Sequence, residues 1–255
     1  ERLASLESSG AEEPFWARPE MEFDERGLPP VGTVLLAHPA AYFAGEGGPE
    51  QLPAALARTV RRPGLLPGPR AEKRKERSHM PVVLITGRHP QQGTSGLLVC
   101  NLWTGQLLGD LQCTDFMSRP LHLGGPPERV DPKRFLQTMT MLHPYPDMPG
   151  ARQITSDGLA VSHSFAEACR WINEGPGSSL RFRFFASDVH WPPEEEGEMS
   201  PRAEVWLPVR CSRDLLLREP DSAFEEPVWA QLAERAGGEA AEAARRHLLL
   251  ARGEG

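Results

Sequence analysis

The runs "PVVLITGRH" (81–89) and "GLLVCNLW" (96–103) are apolar and separated only by the polar turn "PQQGTS". A parallel pairing needs a crossover of about a dozen residues or more, so a link this short makes the two runs an antiparallel hairpin. That weighs against a doubly wound parallel sheet. Other strand candidates are "VGTVLLAHP" (31–39), stopped by Pro39, and "RPLHLGG" (119–125). The alternating, aromatic "LRFRFFASDVHW" (180–191) and "AEVWLPV" (203–209) read as two more, and "DGLAVS" (157–162) as a strand or turn. Each has the alternation or apolar run of a half-buried or buried strand. "TGQLLGDL" (104–111) reads as the end of the hairpin. "DPKRFLQTMTMLHPYP" (131–146) fits a helical turn or a strand, and its pattern does not separate them.

The clearest helix is "HSFAEACRWINEGPG" (163–177), with Phe165, Cys169 and Ile172 at helical spacing. Ser162 or Ser164 can cap its start, and Gly175-Pro176-Gly177 stops it. The closing "FEEPVWAQLAERAGGEAAEAARRHLLLARGEG" (224–255) is alanine-rich helix that Gly237-Gly238 breaks in two. Strands outnumber helices and several neighbours must pair antiparallel. The expected class is therefore α+β, with a curved, barrel-like, mostly antiparallel sheet flanked by helices.

A chain of 255 residues buries a core without a disulfide or metal staple. Its net charge of −7 argues against nucleic acid as a partner of the whole surface, though not of a local patch. Cys100, Cys113, Cys169 and Cys211 stand singly, with no CxxC pair, and read as buried thiols in a reducing compartment. No apolar run has the length of a membrane span, and the chain starts at Glu1, so an address segment stays an open matter.

Little here has the pattern of a reaction centre. In "LHLGGPPE" (121–128), Gly124-Gly125 suggests a phosphate loop, but Pro126 and Pro127 have no N–H to offer. The glycines read better as a turn with positive φ or a close backbone approach. The histidines, among them His122, His143 and His190, form no HxxxH or HExxH pair, and no GxSxG elbow is present. The consecutive acids of "EEEGE" (194–198) cannot all face one point and read as a solvated loop. No catalytic residue, metal ligand or cofactor is assigned.

Two added segments stand out. Residues 1–30 form an acidic extended arm that Phe15 and Trp16 can anchor. The Pro/Gly-rich interruption 44–79 contains eight basic residues against two acids over 58–77: Arg58, Arg61, Arg62, Arg70, Lys73, Arg74, Lys75 and Arg77. It is either a solvated insertion or an arm for an acidic protein surface or RNA, with RNA the weaker for lack of interleaved aromatics.

Taken in order, the apolar blocks resemble the AlgH/YqgE family. Gly32 and Pro39 in "VGTVLLAHP", Gly96 and Asn101 in the hairpin, and Gly124, Gly125 and Pro126 in "LHLGGPPE" fall at its motif positions. Trp191 and Trp206 keep the spacing of its two tryptophans, although His190 replaces a glycine and "PPEEEGEMSP" replaces a Gln-Leu-Glu segment. The resemblance implies a single compact domain over 31–235, with 236–255 a helical extension, and carries no reaction with it. A core of this kind without catalytic residues, elaborated by extensions of opposite charge, points to a non-enzymatic interaction protein, an accessory or scaffold subunit of a plastid assembly, whose partners are other protein subunits. The plastid stroma is the expected location, and the mitochondrial matrix the alternative. The other readings are a small-ligand or nucleotide site near Gly124-Gly125, Asn101 and His122, and RNA attachment through 58–77.

Overall fold

The computed structural model describes residues 15–39, 41, 80–99, 103–108, 114–125, 139–218 and 228–252, so the basic insertion lies outside them. The strands are β1 (Ala17–Pro19), β2 (Val34–Ala37), β3 (Val82–His89), β4 (Gly93–Leu98), β5 (Trp103–Leu107) and β6 (Pro120–Leu123). They continue with β7 (Thr140–His143), β8 (Arg152–Gln153), β9 (Ala160–Ser162), β10 (Arg183–Ala186), β11 (Val189–Trp191) and β12 (Trp206–Cys211). The α-helices are α1 (Phe165–Glu174), α2 (Arg213–Leu217), α3 (Val228–Ala236) and α4 (Gly238–Arg252).

The strands form two open six-stranded sheets. Sheet A has the order β1-β12-β2-β3-β4-β11 and sheet B the order β5-β6-β10-β7-β9-β8. All pairs are antiparallel except β6 with β10. The α+β class holds, and the barrel-like sheet does not. Residues 180–191 read as one strand, but Ser187 takes φ 65°, which ends β10 in sheet B and starts β11 in sheet A. Likewise 104–111 reads as the hairpin's end, but its first residues, with Trp103, form β5, the edge strand that opens sheet B. With strands shared out in this way, neither sheet curls onto its own opposite edge. The ambiguous stretch resolves as strand β7 where it is described.

Strands β6, β10, β7 and β9 of sheet B are buried on both faces. Along β10, Phe185 joins the core of sheet A while Phe184 and Ala186 join a second cluster with Phe116, Phe182 and the α1 residue Ala168. This is the period-two alternation of a strand between two layers. Helices α3 and α4 complete the sheet A core through Trp229, Leu232, Ala233 and Ala244, and the Trp229 indole donates to the Ala37 carbonyl at 3.0 Å. Gly237 and Gly238, at φ 72° and 54°, separate those helices in the left-handed region that glycine adopts without strain. No helix among the described residues is long and apolar enough to cross a membrane.

Candidate functional site

The two sheets are stitched together at the glycine pair. Gly124 N donates to Ala186 O at 2.8 Å in sheet B, and Gly124 O accepts from Leu98 N at 2.7 Å in sheet A. A Cβ on Gly124 would stand 2.5 Å from Ser187 O, and one on Gly125 2.1 Å from Asp188 O. Close approach, not positive φ, is what these positions require. The turn underlies the Ser187-Asp188 corner, and Asp188 is half-buried on the wall of a cleft at the seam.

That cleft, of about 360 Å³, takes residues from both sheets. Sheet A supplies Thr86, Gly87, Arg88, His89, Gln92, Gly93 and Ser95; Thr140, Arg152, His163 and Asp188 face them from the other side. Its floor is a β-bulge. The β3–β4 register slips between Ile85 and Gly87, leaving Thr86 as the extra residue. The guanidinium of Arg152 lies over the bare face of Gly87, and its Nη2 donates to Thr86 O at 2.5 Å.

The donor groups of the cleft are only partly used by the protein. The Nε and Nη1 of Arg152 make no hydrogen bond among the described residues. His89 Nδ1 accepts from Gln91 N and Gln92 N at 3.3 Å each, which in the neutral ring puts the proton on Nε2. His163 meets Thr140 Oγ1 through Nδ1 at 3.3 Å, which leaves Nε2 for another partner. Arg88 differs: its three nitrogens donate to Thr94 Oγ1 at 3.0 Å, Asp24 Oδ2 at 3.2 Å and Pro29 O at 2.8 Å.

Behind Arg88 lies the acidic run, and it is not a solvated loop. Glu196 is 3% exposed, accepts from Thr94 Oγ1 at 2.5 Å and pairs with Arg26 Nη1 at 2.9 Å. A 3₁₀ turn over Glu196–Met199 turns the Glu196 carboxylate inward, with Glu195 and Glu198 half-buried beside it. Burial, with the nearby Glu195 charge, pushes the Glu198 carboxyl up to about 7. Burial holds the His143 imidazole near 4, so it is neutral between Tyr145 and Phe182.

A second cleft of about 390 Å³ is lined by Trp16, Glu20, Thr33, Asp157 and Arg210, among others. Its acids serve the fold. Glu20 accepts from Met21 N, Glu22 N and Thr33 Oγ1, and Asp157 accepts from Thr155 Oγ1 and from Arg213 N at the start of α2. Cys211, on its wall, is buried and its thiol is pushed far up, first by burial and then by Asp157, so it stays protonated. Cys169 and Cys211 carry thiols, not disulfides. Among the described residues, no three His, Cys, Asp or Glu side chains converge as metal ligands.

The sequence-derived positions sit mostly away from the polar cleft. Gly32 turns into β2 at φ 93°, and Pro39 follows that strand. Gly96 faces Ile85, where a Cβ would stand 2.7 Å from Val83. Trp191 and Trp206 pack edge to face in the core at 6.2 Å. His122 is buried beside Phe185. Phe15 is exposed and offers its carbonyl to Arg235 Nη1; Trp16 lies under the Arg18 guanidinium at 4.6 Å. Asn101, Pro126, Cys100, Cys113 and the basic residues Arg58, Arg61, Arg62, Arg70, Lys73, Arg74, Lys75 and Arg77 lie outside the described residues.

Sequence reasoning missed His89, Arg152, His163 and Asp188. One signal was available: His89 ends β3 and His163 immediately follows β9, where a side chain reaches a rim and not a sheet face. A family model described as AlgH-like matches residues 74–241, a span that holds every residue of the polar cleft. No curated protein matches the chain.

Proposed function

Because the chain belongs to the AlgH-like family, whose matched segment carries the cleft, we propose that the protein is a binding protein that holds a small anion between its two sheets. It acts as a regulator or accessory component and not as a catalyst. One observation carries this reading: Arg152, His89 and His163, all exposed, line a single concave site, and each has a ring or guanidinium nitrogen that no described protein group engages. Charge-assisted bonds from such donors are the strong ones, and a concave site concentrates them on one ligand. In a thermal-shift assay, millimolar inorganic phosphate is expected to raise the Tm of the wild type and to leave that of Arg152→Gln unmoved. A wild type indifferent to phosphate, sulfate and citrate alike overturns the reading.

A second reading makes the protein an accessory subunit of a plastid assembly, as a divergent eukaryotic family member. It is supported by the eight-to-two basic excess over 58–77 and by the exposed apolar side chains of Leu107, Met117 and Leu180, the first on edge strand β5. The Ala/Arg/Pro/Gly-rich composition and the family's distribution favour the plastid over the mitochondrial matrix. Co-migration of the tagged native protein with other subunits supports this reading, and migration as a lone monomer rejects it. RNA attachment predicts instead a steeply salt-dependent binding lost on deleting 58–77.

A further inference from the structure

The two histidines of the polar cleft differ in what a second proton would do to them. His89 ends β3, and its Nδ1 accepts from Gln91 N and Gln92 N at 3.3 Å each. An imidazolium donates from both nitrogens, so a proton on that Nδ1 would face two N–H groups and break both bonds of the β3–β4 turn. His163 follows β9, and its Nδ1 lies 3.3 Å from Thr140 Oγ1 on β7. A hydroxyl donates or accepts as it rotates. Thr140 can donate to Nδ1 of the neutral ring and accept from Nδ1 of the charged one, so His163 takes up a proton without losing its partner. Both rings are exposed, and they line the cleft from opposite sides.

Resting on the reading of the cleft as an anion site, we infer that its anion binds together with a proton and that His163 is the residue that takes it. The anion then meets the guanidinium of Arg152 and the charged ring of His163, while His89 offers the Nε2–H of a neutral ring. Charge-assisted bonds are stronger than neutral ones, so the protonated site holds the anion better, and by reciprocity the anion favours the protonated ring. Affinity is therefore highest in acid and falls as pH rises through the range in which imidazoles lose their proton. Other charges surround the ring. Arg152 on β8, Arg88 on β3 and Asp188, which is engaged within the protein, line the same cleft. On α1, Glu167 pairs with Arg170 at 3.1 Å, and on β11 His190 stands across from Ser95. Behind Arg88, the Glu198 carboxyl gains its charge near pH 7. All of these persist when His163 alone is replaced.

Calorimetric titration of the full chain with sulfate, at constant ionic strength, tests the coupling, because sulfate stays a dianion across this range and phosphate does not. From about pH 5.5 to about pH 8.5 the wild-type affinity is expected to fall about three- to fivefold, the size of an exposed charge pair. Between those limits, titrations in two buffers of different ionisation enthalpy should show a fraction of a proton taken up with each sulfate, a measurement that needs no variant. His163→Gln is expected to lose most of the fall and of the proton uptake, and what remains belongs to Glu198 and His190. His89→Gln should bind more weakly, with the wild-type dependence on pH. A wild-type affinity that is flat with pH, a His163→Gln as pH-dependent as the wild type, or a dependence lost in His89→Gln instead overturns the inference and leaves the anion site standing. No sulfate binding at any pH removes the site and the inference with it.

Discussion

Gly125 illustrates how a single residue can be legible in part. The sequence marks Gly124-Gly125 as positions where the backbone needs glycine, and the prolines after them weigh against a phosphate loop. What the glycines press against is the Ser187-Asp188 corner, which is remote in sequence and can be found only once the sheets are assembled. Gly125→Ala would push a methyl to 2.1 Å from Asp188 O, against backbone that cannot step aside. The expected cost is about 1–3 kcal/mol of stability, an overpacking penalty, read from the urea midpoint. Gly197→Ala is the control: nothing stands within 4 Å of its Cβ, and the change should stay within about 0.5 kcal/mol. Equal effects at the two positions would reject close approach as the reason for the pair. The cleft residues were less legible. His89, Arg152, His163 and Asp188 each look like an isolated polar residue, because the bulge and the corner that bring them together leave no periodic signal.

At the scale of elements, periodicity located most strands and the first helix. The β3–β4 hairpin and helix α1 follow from apolar spacing and turn residues alone. The error lay in 180–191, where alternation continues through a change of sheet. Ser187 holds that corner at φ 65°, a region that a side chain with a Cβ enters at a cost and glycine enters freely. A serine at this position gives no turn signal comparable to Asn-Gly, so the corner is silent in the sequence. Comparing two substitutions isolates the backbone, since both remove the hydroxyl. Ser187→Val is expected to be less stable than Ser187→Gly by about 1–2 kcal/mol, the left-handed penalty made worse by β-branching. Urea midpoints of the pair measure this difference. Equal stabilities would mean that the corner relaxes out of the left-handed region.

For the whole molecule, the α+β class was readable because strand count and short links are local properties. Two open sheets in place of a closed one were not, since closure depends on which edge meets which. Assembly also creates charges in unusual surroundings, and these give the molecule a stability profile in pH. His143 is held near 4 in the fold against 6.5 outside it, so the unfolded chain binds the extra proton and stability falls as pH drops from about 6.5 to 4. Glu198 acts in the opposite sense. Its carboxyl is raised from 4.5 to about 7, so the folded chain holds a proton that the unfolded chain has lost, and stability falls as pH rises between those values. Glu198→Gln mimics the protonated form at every pH and leaves His143 in place, so the difference between the two proteins isolates the carboxyl. At pH 5 their Tm values should nearly coincide. Above pH 7 the variant should be the more stable, and solvent screening on the open side of Glu198 limits the gain to about 1 kcal/mol, or about 2–4 °C. Thermal melts at pH 5 and pH 8 decide it: an offset that is constant with pH, or larger at pH 5, would show that the Glu195–Glu198 turn does not hold a proton in the fold. A gain confined to the higher pH would make the loop behind Arg88 the part of the fold most sensitive to pH near neutrality, and Arg88 itself is on the wall of the cleft.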